Sequence, residues 1–248
     1  EKIVDKAKKC GKPVIIHFVG KEVSKISEEN LYYASSLEET SKFACLLSEN
    51  KNIEKTQVDY LSIWKDKVES AKKTMSEKQK YLRGLYSGGT LAYESILTLQ
   101  KEKIHLYSNL SKKEENKLTN PEKSKENTVI DLGEDEYTVG RPHPMIDNSF
   151  KAKRMLAEAN DPEVAVILFD LVIGYGTQAN PLEDILPAIK SGKEIMKNLG
   201  GNLNVVAYIS GTNEDIQNKQ KIILDLENAG CFVAKSNIEA SLLAKAFL

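Results

Sequence analysis

The sequence is poor in the residues that mark several common kinds of protein. Its three cysteines, Cys10, Cys45 and Cys231, stand far apart with no CxxC spacing. That spacing excludes a disulfide frame and a thiolate zinc site, and predicts small buried apolar residues in a reduced compartment. Three histidines, His17, His105 and His143, are thin material for a metal centre, so none is expected. Charge of one sign is missing too. Lys and Arg number 35 against 36 Asp and Glu, so no overall field favours nucleic acid or an anionic membrane. Long apolar runs are absent: the longest, Val164 to Phe169, is much too short to span a bilayer. No signal peptide is evident. These absences point to a cytoplasmic globular chain of enzyme size. It begins at Glu1 without a methionine, which reads as a piece of a longer protein.

What is present alternates strands with helices. Ile3, Val4 and Ala7 make an apolar stripe closed by Gly11, followed by the apolar run Pro13–Val19 and a polar, loop-like stretch over 21–33. Ser36 with Glu39 three residues on forms a capping box for a helix to about Leu47. One strand with two helices cannot cover both faces of a parallel sheet, so residues 1–58 read as the tail of a domain whose front half is elsewhere. Residues 59–80, with Leu61, Trp64, Val68 and Ala71 at helical spacing, predict an amphipathic connecting helix with a solvated charged face.

Residues 81–248 predict a complete second domain. Strands are expected at Tyr81–Tyr86, Lys103–Tyr107, Thr128–Leu132, Glu163–Val172, Leu203–Ile209 and Cys231–Ala234, with helices between them. The polar segment 109–126 reads as a mobile loop insertion. This alternation predicts an α/β fold, a flavodoxin-like doubly wound parallel sheet. Ligands of such sheets bind beyond the strands' carboxyl ends. Ser87, Gly88, Gly89 and Thr90 fall on that edge, as do Asp131 with Gly133, Asp170 with Gly174 and Gly176, and Ser210-Gly211-Thr212. Paired glycines before a helix let the backbone approach a ligand, and the helix offers unpaired N–H groups to a phosphate or carboxylate. Gly174 and Gly176, before a helix opened by Pro181, suggest a second such junction converging on the same anion.

Three side chains are candidates for chemistry. Asp170 interrupts the most apolar strand, so it is either paired in the interior or accepts bonds from loop N–H groups. Arg141 and His143, in Arg141-Pro142-His143-Pro144-Met145-Ile146-Asp147, are held out of helix by the prolines that follow them. Arg141 suits a carboxylate or phosphate, and His143 suits proton transfer near neutral pH. Asp147 reads as a cap for the next helix. His17 and His105 read as satisfied strand histidines.

Two segments carry a resemblance. Lys12–Gly20 is similar to the strand before the phosphohistidine loop of the α subunit of succinyl-CoA synthetase, and Ser87–Glu94 (SGGTLAYE) resembles a turn of the same superfamily. With Asp131–Asp147 (DLGEDEYTVGRPHPMID), the chain resembles the FdrA family, acyl-CoA synthetase-like proteins described as an oxamate carbamoyltransferase component. The resemblance implies a succinyl-CoA ligase-type domain preceded by the tail of a second, incomplete domain of the same kind. It also implies a separate N-terminal domain able to hold CoA, and assembly as a homo-oligomer or with other subunits. One departure stands out: residues 21–40 contain no histidine, whereas the superfamily's ligases carry a phosphorylated one there. The implied function is transfer of an acyl group, such as carbamoyl, from an acyl phosphate to a small acceptor such as oxamate. The piece alone is expected to be inactive. Alternatives are a nucleotide-driven acyl-CoA ligase and a non-catalytic scaffold.

Overall fold

The computed structural model describes residues 2–21, 27–53 and 58–248. The chain divides into two compact units, residues 1–59 and 60–248. In the first unit, α1 (Lys2–Lys8) precedes β1 (Val14–Ile16), β2 (Ser27–Glu28), β3 (Leu31–Tyr33) and α2 (Leu37–Ser48). β3 pairs parallel with β1 and antiparallel with β2. The stretch 21–33, expected as a loop, therefore contains two short strands, because Leu31 is fully buried against its neighbours; residues 22–26 lie outside those described. Ser36 caps α2, its Oγ accepting from the Glu39 N–H at 3.0 Å. The Glu39 carboxylate turns back to the N–H and Oγ of Ser35. Among the described residues the core of this unit is small: Ile16, Leu31, Ala34 and Phe43. Cys10 and Cys45 are exposed, contrary to expectation, since Phe43 is the one residue α2 buries; Cys231 is buried. Among the described residues no helix is long and apolar enough to cross a membrane.

The second unit opens with a 3-10 turn, Ser62–Trp64, and α3 (Lys65–Lys72), a shorter and broken version of the helix expected over 59–80. Trp64 is anchored within this unit: its indole N–H donates to Glu239 Oε1 at 2.7 Å. There follow β4 (Tyr81–Tyr86), α4 (Gly89–Lys101), β5 (Thr128–Asp131), α5 (Asp135–Thr138), α6 (Ser149–Ala159) and β6 (Val164–Val172). α7 (Leu182–Asn198), β7 (Asn204–Ser210), α8 (Lys219–Asn228), β8 (Phe232–Ala234) and α9 (Asn237–Lys245) complete it. The five strands are all parallel, in the order β5-β4-β6-β7-β8. Counted from β4, that is the 2-1-3-4-5 order of a flavodoxin-like doubly wound sheet.

Both faces of the sheet are covered, which is why β6 can be apolar almost throughout. On one face Met155 of α6, Ile185 and Ile189 of α7 and Leu226 of α8 pack on Leu85, Ile167 and Phe169. On the other, Ile96 and Leu99 of α4, Leu243 of α9 and Trp64 pack with Leu82, Val166 and Leu168. Gly84 of β4 has no room for a side chain, because a Cβ there would lie 3.0 Å from Val129 Cγ2.

Two expectations fail here. Residues 103–107 make an isolated bridge, Tyr107 to Thr128, and no strand. Lys103 has a positive φ and the Ile104 N–H returns to the Leu99 carbonyl, so these residues are used in leaving α4. The segment 109–126, expected to be mobile, is tied down. Leu118 packs on the core. Pro121 O accepts from Tyr137 Oη at 2.8 Å and from Arg154 at 2.6 Å, and Ser124 Oγ accepts from Arg154 at 2.8 Å. The anchor beneath is a buried ion cluster. The Glu158 carboxylate takes Arg83 Nε at 2.8 Å and Arg154 Nε at 2.6 Å, and all three side chains are buried.

Removing one partner of a buried cluster leaves charge unpaired, at a cost of about 3–5 kcal/mol. Glu158→Ala should lose that much stability in urea unfolding and open 121–124 to protease; a loss below ~1 kcal/mol would show that the cluster is hydrated. The small core of residues 1–59 makes a second expectation. Amide hydrogen exchange should be much faster there than in β4, β6 and β7; equal protection would contradict it.

Candidate functional site

In a doubly wound sheet the crevice lies where strand order reverses, here between β4 and β6 at their carboxyl ends. Ser87 directly follows β4, and Asp170 lies late in β6. Asp170 proves to be both paired in the interior and a receiver of a loop N–H. Its Oδ1 accepts from Ser87 N at 2.7 Å and Ser87 Oγ at 2.9 Å. Lys151 of α6 reaches the same point: its Nζ donates to Asp170 Oδ1 at 2.8 Å, to the Asp170 carbonyl at 2.6 Å and to Ser87 Oγ at 2.5 Å. That uses all three ammonium donors. Lys151 and Asp170 are fully buried, so each charge depends on the other. The second carboxylate oxygen, Asp170 Oδ2, is buried without a hydrogen-bond partner.

This clamp sets the entrance to α4. Gly88 is the N-cap, in extended conformation, and no side chain caps the helix. The first-turn N–H groups therefore receive no side-chain cap from the N-cap residue, and the helix dipole adds partial positive charge. Neither Gly88 nor Gly89 has a positive φ. Their requirement is space: a Cβ on Gly88 would lie 3.2 Å from Met145 Cε, and one on Gly89 would lie 3.0 Å from Asp131 Oδ2. Thr90 is exposed in the first turn.

Asp131 ends β5 opposite Tyr86. Asn109 clamps its backbone, donating to Asp131 O at 2.9 Å and accepting from Asp131 N at 3.0 Å. The Asp131 Oδ1 accepts from Gly133 N at 2.8 Å. Burial holds the Asp131 carboxyl above the ordinary carboxylate range; the Gly133 N–H pulls the other way, and the negative charges of Glu134 and Asp170 add to the rise. Gly133 is walled in: a Cβ there would lie 2.6 Å from His143 Nε2, 2.8 Å from the Ser87 carbonyl oxygen and 3.1 Å from Asp131 Oδ1. His143 is fixed by a turn in which Met145 N donates to its Nδ1 at 3.2 Å. Nε2 is then the nitrogen that carries the proton in the neutral ring.

The structure thus gathers Ser87, Gly88, Gly89, Asp170 and His143, with Thr90 on the first turn. It adds Asp131, Gly133, Asn109 and Lys151. Lys151 was missed by reading the sequence, although it shares the face of α6 that buries Ala152, Met155 and Ala159. A lysine on such a face, opposite the one carboxylate of an apolar strand, was the available signal. Arg141 is not gathered; it is exposed, its guanidinium 4.1 Å over the Phe150 ring. Gly174 and Gly176 have positive φ but belong to a loop held by Gln217, which accepts from Gly174 N at 3.2 Å and donates to Gly174 O and Thr177 Oγ1, each at 3.0 Å. The first turn of α7 carries Glu183 and Asp184, each meeting Gln178 Nε2 at 3.1 Å, so that helix start already holds anions. Asp147 serves the start of α6, accepting from Ser149 N at 2.8 Å, and the Ser149 hydroxyl together with that N–H lowers its pKa. Among the described residues, no three His, Cys, Asp or Glu side chains form a metal-binding group.

A carboxyl with a raised folded-state pKa binds its proton more tightly in the folded chain. Its contribution is favourable at low pH, and stability falls as pH rises from the unfolded value near 3.8 through the higher folded value. Asp131→Asn should therefore raise the melting temperature at neutral pH and leave it unchanged below pH ~3.5. Melting curves of both proteins across that range check this; parallel pH profiles would contradict it.

Comparison with known proteins finds a family pattern in this part of the chain. The CoA-ligase family pattern matches residues 85–247, from the end of β4 to the residue before the carboxyl terminus. The chain is also 32% identical over 247 residues to the uncharacterized protein YahF of Escherichia coli (strain K12). That alignment covers all of this chain but 47% of the relative, so the chain spans about half the length of the curated relative it matches. With most of the parallel-sheet unit matched, including the Ser87–Thr90 turn, the chain belongs to the CoA-ligase family.

Proposed function

We propose that residues 60–248 form the phosphate-holding half of an acyl-transfer site, in which an acyl phosphate lies on the N-terminus of α4. The observation that carries this reading is the uncapped first turn of α4 at the reversal point of the sheet, beside a serine held by a buried ion pair. Peptide N–H groups from Gly89, Thr90 and Leu91 supply donors for the phosphate oxygens. The Nε2–H of His143 is a further donor for charge that develops on the acyl oxygen in the transition state. Its proton-bearing Nε2 suits donation better than proton removal.

The transfer balances as follows. The acceptor's lone pair adds to the acyl carbon, the bond from that carbon to the phosphate oxygen breaks, and the acceptor's proton leaves with the phosphate. In the finer form the acyl group is carbamoyl and the acceptor oxamate, a choice that rests on the resemblance of Asp131–Asp147 to the FdrA family. CoA, as acceptor or product, and the domain that holds it belong to the remainder of the protein in the acid–thiol ligase form of this reading. The absence of histidine from residues 21–40 favours direct use of an acyl phosphate over a phosphohistidine relay.

Thermal-shift and calorimetric titration of the chain with acetyl phosphate, carbamoyl phosphate, CoA and nucleotides tests it. Carbamoyl phosphate, and acetyl phosphate more weakly, should stabilise the chain. Gly89→Val should weaken their binding at least about tenfold, since its side chain meets Asp131 and covers the first turn. Arg141→Ala, away from the turn, should change it less than about twofold. Unchanged affinity in folded Gly89→Val would place the site elsewhere.

A further inference from the structure

The candidate anion site contains more acceptors than an anion needs. The α4 N-terminus offers donors, but two carboxylates stand beside it. Asp131 Oδ2 would be 3.0 Å from a Cβ on Gly89, the first residue of the helix. Asp170, whose Oδ1 holds the N–H and hydroxyl of Ser87, keeps Oδ2 buried with no hydrogen bond to it. The Ser87 carbonyl oxygen lies 2.8 Å from the point a Cβ on Gly133 would occupy, with Asp131 Oδ1 3.1 Å from that point. An oxyanion with no hydrogen would meet the N–H donors and, at the same time, acceptor oxygens that repel it. An oxyanion that carries a hydrogen satisfies both, its bare oxygens on the helix and its O–H on a carboxylate.

We infer that the site selects oxyanions bearing a donor hydrogen, protonated phosphate above all, and rejects sulfate, with Asp131 as the selecting acceptor. The inference rests on the reading that α4 binds phosphate and narrows the ligand class. The released phosphate, which carries the acceptor's proton, has the required hydrogen. So has the amino group of a carbamoyl phosphate, whereas acetyl phosphate as its dianion lacks one. Asp131 is suited to the task because it is held rigidly: Asn109 fixes its backbone on both sides and Gly133 N fixes its other oxygen. The groups around it are Asp170 of β6, His143, Glu134 and the Gly133 N–H. The Lys151 ammonium spends all three donors on Ser87 and Asp170, so it has none left for Asp131.

The test is isothermal calorimetry on the 248-residue chain at pH 7 and constant ionic strength, with inorganic phosphate, sulfate, carbamoyl phosphate and acetyl phosphate. Phosphate should bind at least about tenfold more tightly than sulfate, because sulfate leaves a buried acceptor facing an acceptor. Carbamoyl phosphate should exceed acetyl phosphate if the amino group is the hydrogen being read; equality of those two, with phosphate still preferred over sulfate, assigns the reading to the phosphate hydroxyl. Asp131→Asn, whose amide can donate, should bring sulfate to within about threefold of phosphate. The wild-type comparison needs no variant, so misfolding of Asp131→Asn does not blunt it. Equal binding of phosphate and sulfate by the wild type overturns the selection while leaving the phosphate site standing. Binding of none of the four overturns both.

Discussion

The buried pair of Lys151 and Asp170 is the interaction on which the site depends. A lysine and an aspartate, both without solvent contact, are tolerable only because each neutralises the other and all three ammonium donors are used. The pair joins three elements. Asp170 comes from the central strand, Lys151 from the helix behind it, and Ser87 from the exit of β4. Because Ser87 is held through its N–H as well as its hydroxyl, the backbone leaving β4 has a defined direction. The first turn of α4 inherits that direction. Buried ion pairs are weak sources of net stability, so the contribution here is better described as orientation.

The same logic recurs away from the site. Glu158 gathers Arg83 from β4 and Arg154 from its own helix, and through Arg154 it holds Pro121 and Ser124 of a long polar connection. Gln79 works similarly at the opposite end of the sheet, donating to the carbonyls of Val164 and Asn202. Between α4 and α9, Asn237 bonds the Leu91 carbonyl and the Glu94 carboxylate. α4 is therefore fixed on both its flanks, by the Ser87 clamp at its start and by this buried amide along its side. A rigid helix start is what an anion site requires, since its donors must be in place before the ligand arrives.

Membership of the CoA-ligase family and the geometry meet at the exit of β4. The family pattern begins at Leu85, two residues before Ser87. On the β5 side, Asp131 gives the turn a second wall of acceptor oxygens, with His143 Nε2 beside it near Gly133. In the ligand class proposed above, bare oxygens meet the donor-rich helix start and the hydrogen meets this acceptor wall.

The sequence by itself determined the class of fold and the edge that matters. Alternating apolar runs and amphipathic stretches specify a parallel sheet with helices on both faces, and a Ser-Gly-Gly turn before a helix is local chemistry written in consecutive residues. Asp170 was also legible, because a carboxylate in an otherwise apolar strand demands a partner. What the tertiary structure decided was the identity of the partners. Lys151, Asn109 and Asp131 enter the site from different elements, and no local period reports such meetings. Arg141 reads as an anion clamp in sequence, but folding stacks it on Phe150. Gly174 and Gly176 read as ligand-facing, yet Gln217, more than 40 residues on, occupies the hydrogen-bonding groups of their loop. The polar segment 109–126 looked free because its anchors, Arg154 and Tyr137, lie beyond it in the chain. Local chemistry is encoded by neighbours in sequence; the pairing of buried charges is settled only when distant elements are packed together.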